Sequence, residues 1–334
     1  MNNKSFLTVD GLGPEALKYL INRALILDNL KGKQPGFLDG KFVGVYFRRS
    51  STRTRTAFTL GAVRLGAQVI QYGPNDLQLV TGETAQDTGR VLAQYLDMLV
   101  VRTNQALSEM KEFASQGHMS VINAMSENEH PTQAIADLVT IYEVVGRLDP
   151  VHVLYIGDGN NTAAALALAI SQLPGMRLTV VSPKGYGLSN ETLLACSCSA
   201  KRYGGAVEQH HRIDNLPKNV DVVYTTRWLT MGDPRPDTSW LDEFAPFRIT
   251  PAVMARVSKS EETIFMHDLP AVRGSEVVDE VLDGPQSVAF RQAHHKQSSA
   301  MAILEWCGAC QVEETDFRRS KARQSSSSEV ALAW

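Results

Sequence analysis

The sequence predicts an α/β protein with two doubly wound, parallel-sheet domains that are linked by helices. First, short β-rich runs alternate with longer helical patterns, which is typical of parallel sheets whose strands are connected by helices. Second, these runs form two sets of four, separated by a helical pattern over residues 131–145 and a turn-forming segment that ends at Pro150. Third, a chain of 334 residues is long enough for two domains. The predicted strands are 42–47, 68–71, 98–102, 120–123, 151–156, 177–181, 221–225 and 263–267.

The turn-forming segment predicts a domain boundary near residue 147. We expect a first domain over residues 1–147 and a second over residues 148–288. An apolar helical pattern follows the last predicted strand, and we expect a C-terminal helix within about residues 289–316 to pack back on the first domain. Residues 317–334 are rich in serine and basic residues, which predicts a disordered tail without a catalytic part.

Composition and charge argue against several classes of protein. Lys and Arg number 33 against 36 Asp and Glu, so the net charge of −3 offers no overall positive field for nucleic acid or an anionic membrane. The longest apolar run, residues 163–170, is too short to span a bilayer, and the first 31 residues lack a signal-peptide pattern, so we expect a cytoplasmic protein. The four cysteines lack further ligands at zinc-site spacing, which predicts no disulfide framework and no metal or redox role for them.

A candidate phosphate site follows the first predicted strand. This strand leads into Ser51-Thr52-Arg53-Thr54-Arg55, after which apolar residues recur at helical spacing. Hydroxyls and backbone N–H groups at a helix N-terminus, with guanidinium groups beside them, can bind a dianion. The alternative is an ordinary helix N-cap with solvated arginines.

Polar residues at two further positions point to the same edge of the first sheet. Arg102 ends the third predicted strand, where ligands of open α/β folds bind. His130 precedes and Gln133 closely follows Pro131, which suits the first turn of a helix. A single histidine in such a place is more often structural, but its position beside the other two motifs favours a ligand role.

Together these motifs resemble the aspartate and ornithine carbamoyltransferase family. Ser-Thr-Arg-Thr-Arg at 51–55 and His-Pro-Thr-Gln at 130–133 are hallmarks of that family, and the similarity covers about residues 5–312. The ornithine branch is the more similar one, because Thr230-Met231-Gly232 resembles its Ser-Met-Gly loop and residues 269–277 resemble its Leu-Pro motif. The resemblance implies a homotrimer that transfers a carbamoyl group from carbamoyl phosphate to a small amino-acid acceptor without a cofactor.

The resemblance also implies a role for each matching residue. Those that would bind carbamoyl phosphate are Ser51, Thr52, Arg53, Thr54, Gln78, Arg102, His130, Gln133, Leu269 and Lys296. Those that would contact the acceptor are Asn161, Thr226, Arg227, Thr230, Met231 and Asp268. The implied catalytic residues are Arg102, His130, Thr54 and Asp268. Gln78 would reach into the site of a neighbouring subunit. No metal is needed, because hydrogen-bond donors can stabilise the negative charge that develops on the carbamoyl oxygen.

The sequence departs from the ornithine branch on the acceptor side. Thr226 stands where that branch has Asp, and Asp268 stands where it has Cys, so either the negative charge has moved to position 268 or the acceptor differs. Lys296 stands where the family usually has Arg, with Arg291 as an alternative for that contact. We therefore expect transfer to ornithine or a shorter diamino acid such as 2,3-diaminopropionate. The alternative is an acceptor with an extra carboxylate, bound by Arg227.

Two other functions are compatible with parts of the sequence. Gly157-Asp158-Gly159 imitates the start of a dinucleotide-binding fingerprint, but Thr162 stands where the third glycine would lie and Lys184 where an acidic ribose ligand would be expected. A relative without activity, which only binds carbamoyl phosphate or a partner protein, is the other possibility. The intact donor motifs argue against it.

Overall fold

The first sheet has four parallel strands in the order β2-β1-β3-β4. The computed structural model describes residues 4–30, 36–229 and 239–308. The strands are β1 (Phe42–Phe47), β2 (Gln68–Tyr72), β3 (Met98–Arg102) and β4 (Ser120–Met125). Strands β3 and β4 are buried along their whole length, as expected for parallel strands that are covered on both faces.

The second sheet has five parallel strands in the order β7-β6-β5-β8-β9. The strands are β5 (Val151–Ile156), β6 (Met176–Val181), β7 (Ala206–His210), β8 (Val222–Thr225) and β9 (Ile264–His267). The sequence did not predict β7. This edge strand is only partly buried and contains Glu208 and Gln209, so it lacks the apolar run that marked the other strands.

Helices connect the strands and cover both sheets. They are α1 (Gly13–Asn29), α2 (Arg53–Arg64), α3 (Ala85–Leu92), α4 (Leu107–Ala114), α5 (Pro131–Val145), α6 (Asn161–Ser171), α7 (Asn190–Tyr203), α8 (Trp240–Phe244), α9 (Pro251–Val257), α10 (Asp279–Leu282) and α11 (Ala289–Gly308). Short 3₁₀ turns lie at Gln78–Thr81 and Ala245–Phe247. Within the described parts of the chain, no helix is long and apolar enough to cross a membrane.

Helix α5 leads from the first sheet to the second, and α11 leads back. Eleven consecutive residues of α5 are buried, from Pro131 to Ile141, and Gly146, whose φ of 80° suits glycine, caps the C-terminus of the helix. Helix α11 packs against α1, α2 and α5, which confirms the predicted C-terminal helix that returns to the first domain. The approach is close: a Cβ atom on Gly61 of α2 would lie 3.1 Å from Cγ of Met301. The predicted tail over residues 317–334 lies outside the described residues.

Candidate active site

A cavity of about 230 Å³ lies between the two sheets, at the carboxyl ends of their strands. Segments that follow β1, β4, β5, β8 and β9 contribute to its wall, together with Arg102 at the end of β3. The cavity brings together the predicted residues Ser51, Thr52, Arg53, Thr54, Arg102, His130, Asn161, Thr226, Arg227, Asp268, Leu269 and Lys296. Its other lining residues were not predicted: Ser50, Met125, Asn160, Thr162, Leu229 and Pro270.

Four predicted residues are not part of this lining. Gln133 is buried behind it, where its Nε2 donates a hydrogen bond to Asp137 Oδ1 at 2.7 Å and its Oε1 accepts one from Lys296. Gln78 is exposed, and its Oε1 accepts a hydrogen bond from Thr81 Oγ1 at 2.9 Å. Thr230 and Met231 lie outside the described residues.

The start of α2 offers several unused hydrogen-bond donors to the cavity. Thr52 is the N-cap residue, yet its side chain makes no capping hydrogen bond to the first turn of α2, a turn that the structure describes in full. The first N–H groups of a helix have no acceptor within the helix. Arg55 turns away from the cavity, because its guanidinium lies over the Phe47 ring at 5.2 Å. The segment therefore presents hydroxyls and N–H groups, with Arg53, to an anion.

The cavity is strongly cationic on the side of the first sheet. Arg102 is buried and its Nη1 donates to Thr54 Oγ1 at 3.1 Å. Burial lowers the pKa of Arg102 to about 10, so the side chain stays charged at neutral pH. Burial, with Arg102 and Lys296 nearby, holds the pKa of His130 well below its usual range, so this imidazole is neutral. A site of this kind suits a dianion next to a polar, uncharged group.

Asp268 supplies the carboxylate of the cavity lining, and two hydroxyls hold it. Thr226 Oγ1 donates to its Oδ1 at 2.8 Å, and Thr162 Oγ1 donates to its Oδ2 at 3.0 Å. Hydrogen bonds of hydroxyls to a charged acceptor are among the stronger ones in proteins. Position 226 and position 268 are therefore in direct contact, which the sequence alone did not establish.

The loop that carries Asp268 is fixed from behind by a buried pair. The backbone N–H of Leu269 donates to His267 Nδ1 at 2.8 Å, which leaves the ring proton of the neutral imidazole on Nε2. His267 Nε2 lies 3.2 Å from Glu276 Oε1 and donates to it. Leu269 has a φ of 54°, a left-handed value that is rare for a side chain of this kind. From the sequence, Glu276 was only part of the motif of residues 269–277, and no role was predicted for it.

A buried polar layer lies directly behind the cavity. Besides Gln133, both Gln292 Nε2 at 2.7 Å and the Tyr224 hydroxyl at 3.0 Å donate to the Asp137 carboxylate. Burial raises the pKa of Asp137. Because Gln133 also accepts from Lys296, this layer links α5, β8 and α11 to the floor of the site. It was not predicted from the sequence.

These positions bear on two alternatives that the sequence left open. Arg291 binds Glu143, with its Nε 2.8 Å from Oε2, so Lys296 and not Arg291 reaches the cavity. Gly159 packs against backbone, because a Cβ there would lie 2.3 Å from the carbonyl carbon of Gly187. This close approach explains the glycine without a dinucleotide.

Comparison with protein families identifies both halves of the chain. Residues 4–143 match the model of the "aspartate/ornithine carbamoyltransferase, carbamoyl-P binding domain", and residues 149–307 match that of the "Asp/Orn binding domain" of the same family. Curated relatives are similar over nearly the whole chain. Ornithine carbamoyltransferase of Caldicellulosiruptor saccharolyticus is 39% identical over 303 residues, 90% of this chain and 97% of the relative. That of Anoxybacillus flavithermus is 36% identical over 91% of this chain and 96% of the relative.

Solved structures give the same result. The ornithine carbamoyltransferase of Pyrococcus furiosus superposes with a TM-score of 0.84 at 33% identity, covering 90% of this chain and 96% of that one. The anabolic ornithine carbamoyltransferase of Campylobacter jejuni superposes with a TM-score of 0.83 at 32% identity, covering 91% and 98%.

Proposed function

The chain belongs to the aspartate/ornithine carbamoyltransferase family and is a carbamoyltransferase, and from this premise we propose that its acceptor is ornithine or a similar diamino acid. The observation that carries the proposal is the division of charge across the cavity. Arg53, Arg102 and Lys296 face it with positive charge, whereas Asp268 stands in the acceptor half. An anionic donor and a cationic side-chain amine fit these two halves.

On the donor side, the N-terminus of α2 and Arg53 would hold the phosphate group. The acceptor amine would attack the carbamoyl carbon while the bond from that carbon to the phosphate oxygen breaks. Negative charge develops on the carbamoyl oxygen, where Arg102, neutral His130 and the Thr54 hydroxyl can donate hydrogen bonds. The ammonium form of the acceptor first releases one proton to solvent; after attack, the nitrogen gives a second proton to the leaving phosphate, which keeps the bridging oxygen.

On the acceptor side, Asp268 would bind the ammonium form of the side-chain amine. Its contact with Thr226 supports the interpretation that a carboxylate has moved from position 226 to position 268. Ornithine is favoured because the relatives are named for it. Arg227 supports the second candidate, an acceptor with an extra carboxylate: its Nε is buried and makes no hydrogen bond to any residue that the structure describes.

A screen of amine acceptors with carbamoyl phosphate tests this function. Colorimetric detection of ureido products would be run with ornithine, 2,4-diaminobutyrate, 2,3-diaminopropionate, aspartate and N-acetylornithine. We expect the highest kcat/KM for one of the three diamino acids. Highest activity with aspartate or N-acetylornithine would support the Arg227 alternative, and turnover of none, despite binding of carbamoyl phosphate, would support a non-catalytic protein.

We also propose that the protein is a homotrimer whose active sites lie between subunits. Large apolar side chains of the first domain are exposed and are compatible with an interface: Val63 is 55% exposed, Val80 58% and Tyr95 69%. Gln78 is exposed within two residues of Val80. Assembly through the segment around Val80 would bring Gln78 to the cavity of a neighbour, as the family resemblance implies.

Mixing two inactive variants tests the shared site. Arg102→Ala and Gln78→Ala chains, co-expressed with different tags and purified as mixed oligomers, should recover up to about a third of wild-type activity, since one interface in three of a mixed trimer combines both intact residues. Arg102→Ala mixed with Thr54→Ala is the control. These residues contact each other within one chain, so no recovery is expected. Equal recovery in both mixtures, or none in either, would mean that Gln78 does not act across an interface.

A further inference from the structure

A second group of ionisable side chains lies where three helices meet, away from the cavity lining. We call it the hinge cluster. It consists of Asp28 on α1, Glu143 on α5, and Arg291, His294 and His295 on α11. Helices α5 and α11 are the two connections between the sheets, so the hinge cluster ties together the segments about which the two halves of the molecule would move.

The His295 ring in the hinge cluster has an unusual environment. It is fully buried, and its Nδ1 lies 2.9 Å from Thr140 Oγ1. The Thr140 hydroxyl already donates its proton to the Ala136 carbonyl at 2.7 Å, so Nδ1 must donate to it. In the neutral ring, Nε2 is then an acceptor with a lone pair.

That lone pair has no positive group facing it among the described residues, although Arg291 already pairs with Glu143. His295 Nε2 is buried, makes no hydrogen bond to any described residue, and lies 3.2 Å from Glu143 Oε2, which is also an acceptor. Two acceptors at this distance repel each other unless a positive charge lies between them. A metal ion bound to both atoms would satisfy each of them.

The neighbouring groups form a suitable ligand set. One carboxylate oxygen from each of Asp28 and Glu143 and one ring nitrogen of His295 lie within 4.8 Å of one another. His294 Nε2 is 2.5 Å from Asp28 Oδ1, and its side chain is 50% exposed, which leaves a path for an ion from solvent. Nitrogen and carboxylate ligands of this number suit Zn²⁺ and similar divalent transition metals.

We propose that the hinge cluster binds a divalent transition-metal ion through Asp28, Glu143 and His295, with His294 orienting Asp28 through their hydrogen bond. Arg291 takes the place of the metal when none is bound. Its guanidinium donates to both oxygens of Glu143 and approaches Asp28 Oδ2 at 3.5 Å. The site is separate from carbamoyl transfer and would stiffen the junction between α1, α5 and α11.

Titration of the chelator-treated, full-length protein with Co²⁺ tests the site, because Co²⁺ reports its ligand geometry through visible absorption. We expect one ion per chain in the wild type. His295→Gln and Glu143→Gln should each weaken binding at least tenfold. Arg291→Gln removes the competing cation and should tighten binding about tenfold. Cys198→Ser, which removes an exposed thiol, is the control and should bind like the wild type.

The unfolding temperature of each variant, measured without metal, shows whether it is folded. If Glu143→Gln does not fold, the exposed His294→Gln variant replaces it and should weaken binding several-fold. Equal affinity for wild type and His295→Gln would overturn the proposal, as would the absence of binding even in Arg291→Gln. The hinge cluster would then be an ion-pair network with a protonated His295.

Discussion

Replacement of Arg53 by alanine is expected to lower kcat/KM for carbamoyl phosphate about a hundredfold or more. Arg53 lines the cavity at the first residue of α2, beside helix N–H groups that have no acceptor within the helix. The variant loses a charge-assisted contact to the donor phosphate, which we place at roughly 3 kcal/mol of transition-state stabilisation. Steady-state kinetics at saturating acceptor measures the change.

Arg55→Ala is the matched control for this experiment. Arg55 has the same side chain and lies on the same turn of α2, but its guanidinium lies over the Phe47 ring and its Nη2 approaches the Phe47 carbonyl at 3.5 Å. We expect less than a threefold change in kcat/KM. A loss below tenfold for Arg53→Ala, or similar losses for both variants, would contradict the phosphate assignment.

Much of the fold could be predicted because parallel strands are apolar runs that end abruptly. The predicted strands 42–47, 98–102 and 151–156 have the observed bounds, since turn-forming or charged residues follow each run. The edge strand β7 could not be predicted in this way. One side of an edge strand faces solvent, so Ala206–His210 mixes polar and apolar residues without a clear period.

The candidate site likewise has one part that could be predicted from the sequence and one part that could not. Its donor side was predictable because contiguous motifs carry it, one at the start of α2 and one at the start of α5. The layer behind it was not, because Asp137 meets Tyr224 and Gln292, which lie 87 and 155 residues further along the chain. A single polar residue in an apolar helix does not reveal its partners. The sequence likewise gave no sign that Thr162 holds Asp268.

The contact between Thr226 and Asp268 leads to the second large effect. In Thr226→Asp, a carboxylate would replace the hydroxyl that donates to Asp268 Oδ1 at 2.8 Å. Two like charges about 4 Å apart repel by about 4 kcal/mol at an effective dielectric constant of 20. We expect the single variant to lose at least tenfold in kcat/KM for its preferred acceptor.

A second substitution, at position 268, should reverse the loss of activity that Thr226→Asp causes. Asp268→Asn alone removes the negative charge and should raise the acceptor KM strongly. Asp268→Cys together with Thr226→Asp restores one carboxylate, in the arrangement of the ornithine branch, and should shift preference towards ornithine. Because both positions touch each other and would face one substrate amine, their effects should be non-additive by more than about 1 kcal/mol.

A double-mutant cycle tests this coupling. It compares the wild type with Thr226→Asp, Asp268→Cys and the double variant, and kcat/KM is measured for ornithine, 2,4-diaminobutyrate and 2,3-diaminopropionate. Thr162→Val is the control for the hydroxyl contacts. It removes the other donor to Asp268 without moving a charge, so we expect a smaller loss and an unchanged order of acceptors. Additive effects with an unchanged acceptor order in the double variant would mean that position 268 does not select the acceptor. Arg227, which lines the same cavity and has a buried Nε without a hydrogen bond to any described residue, would then be the residue to test for specificity.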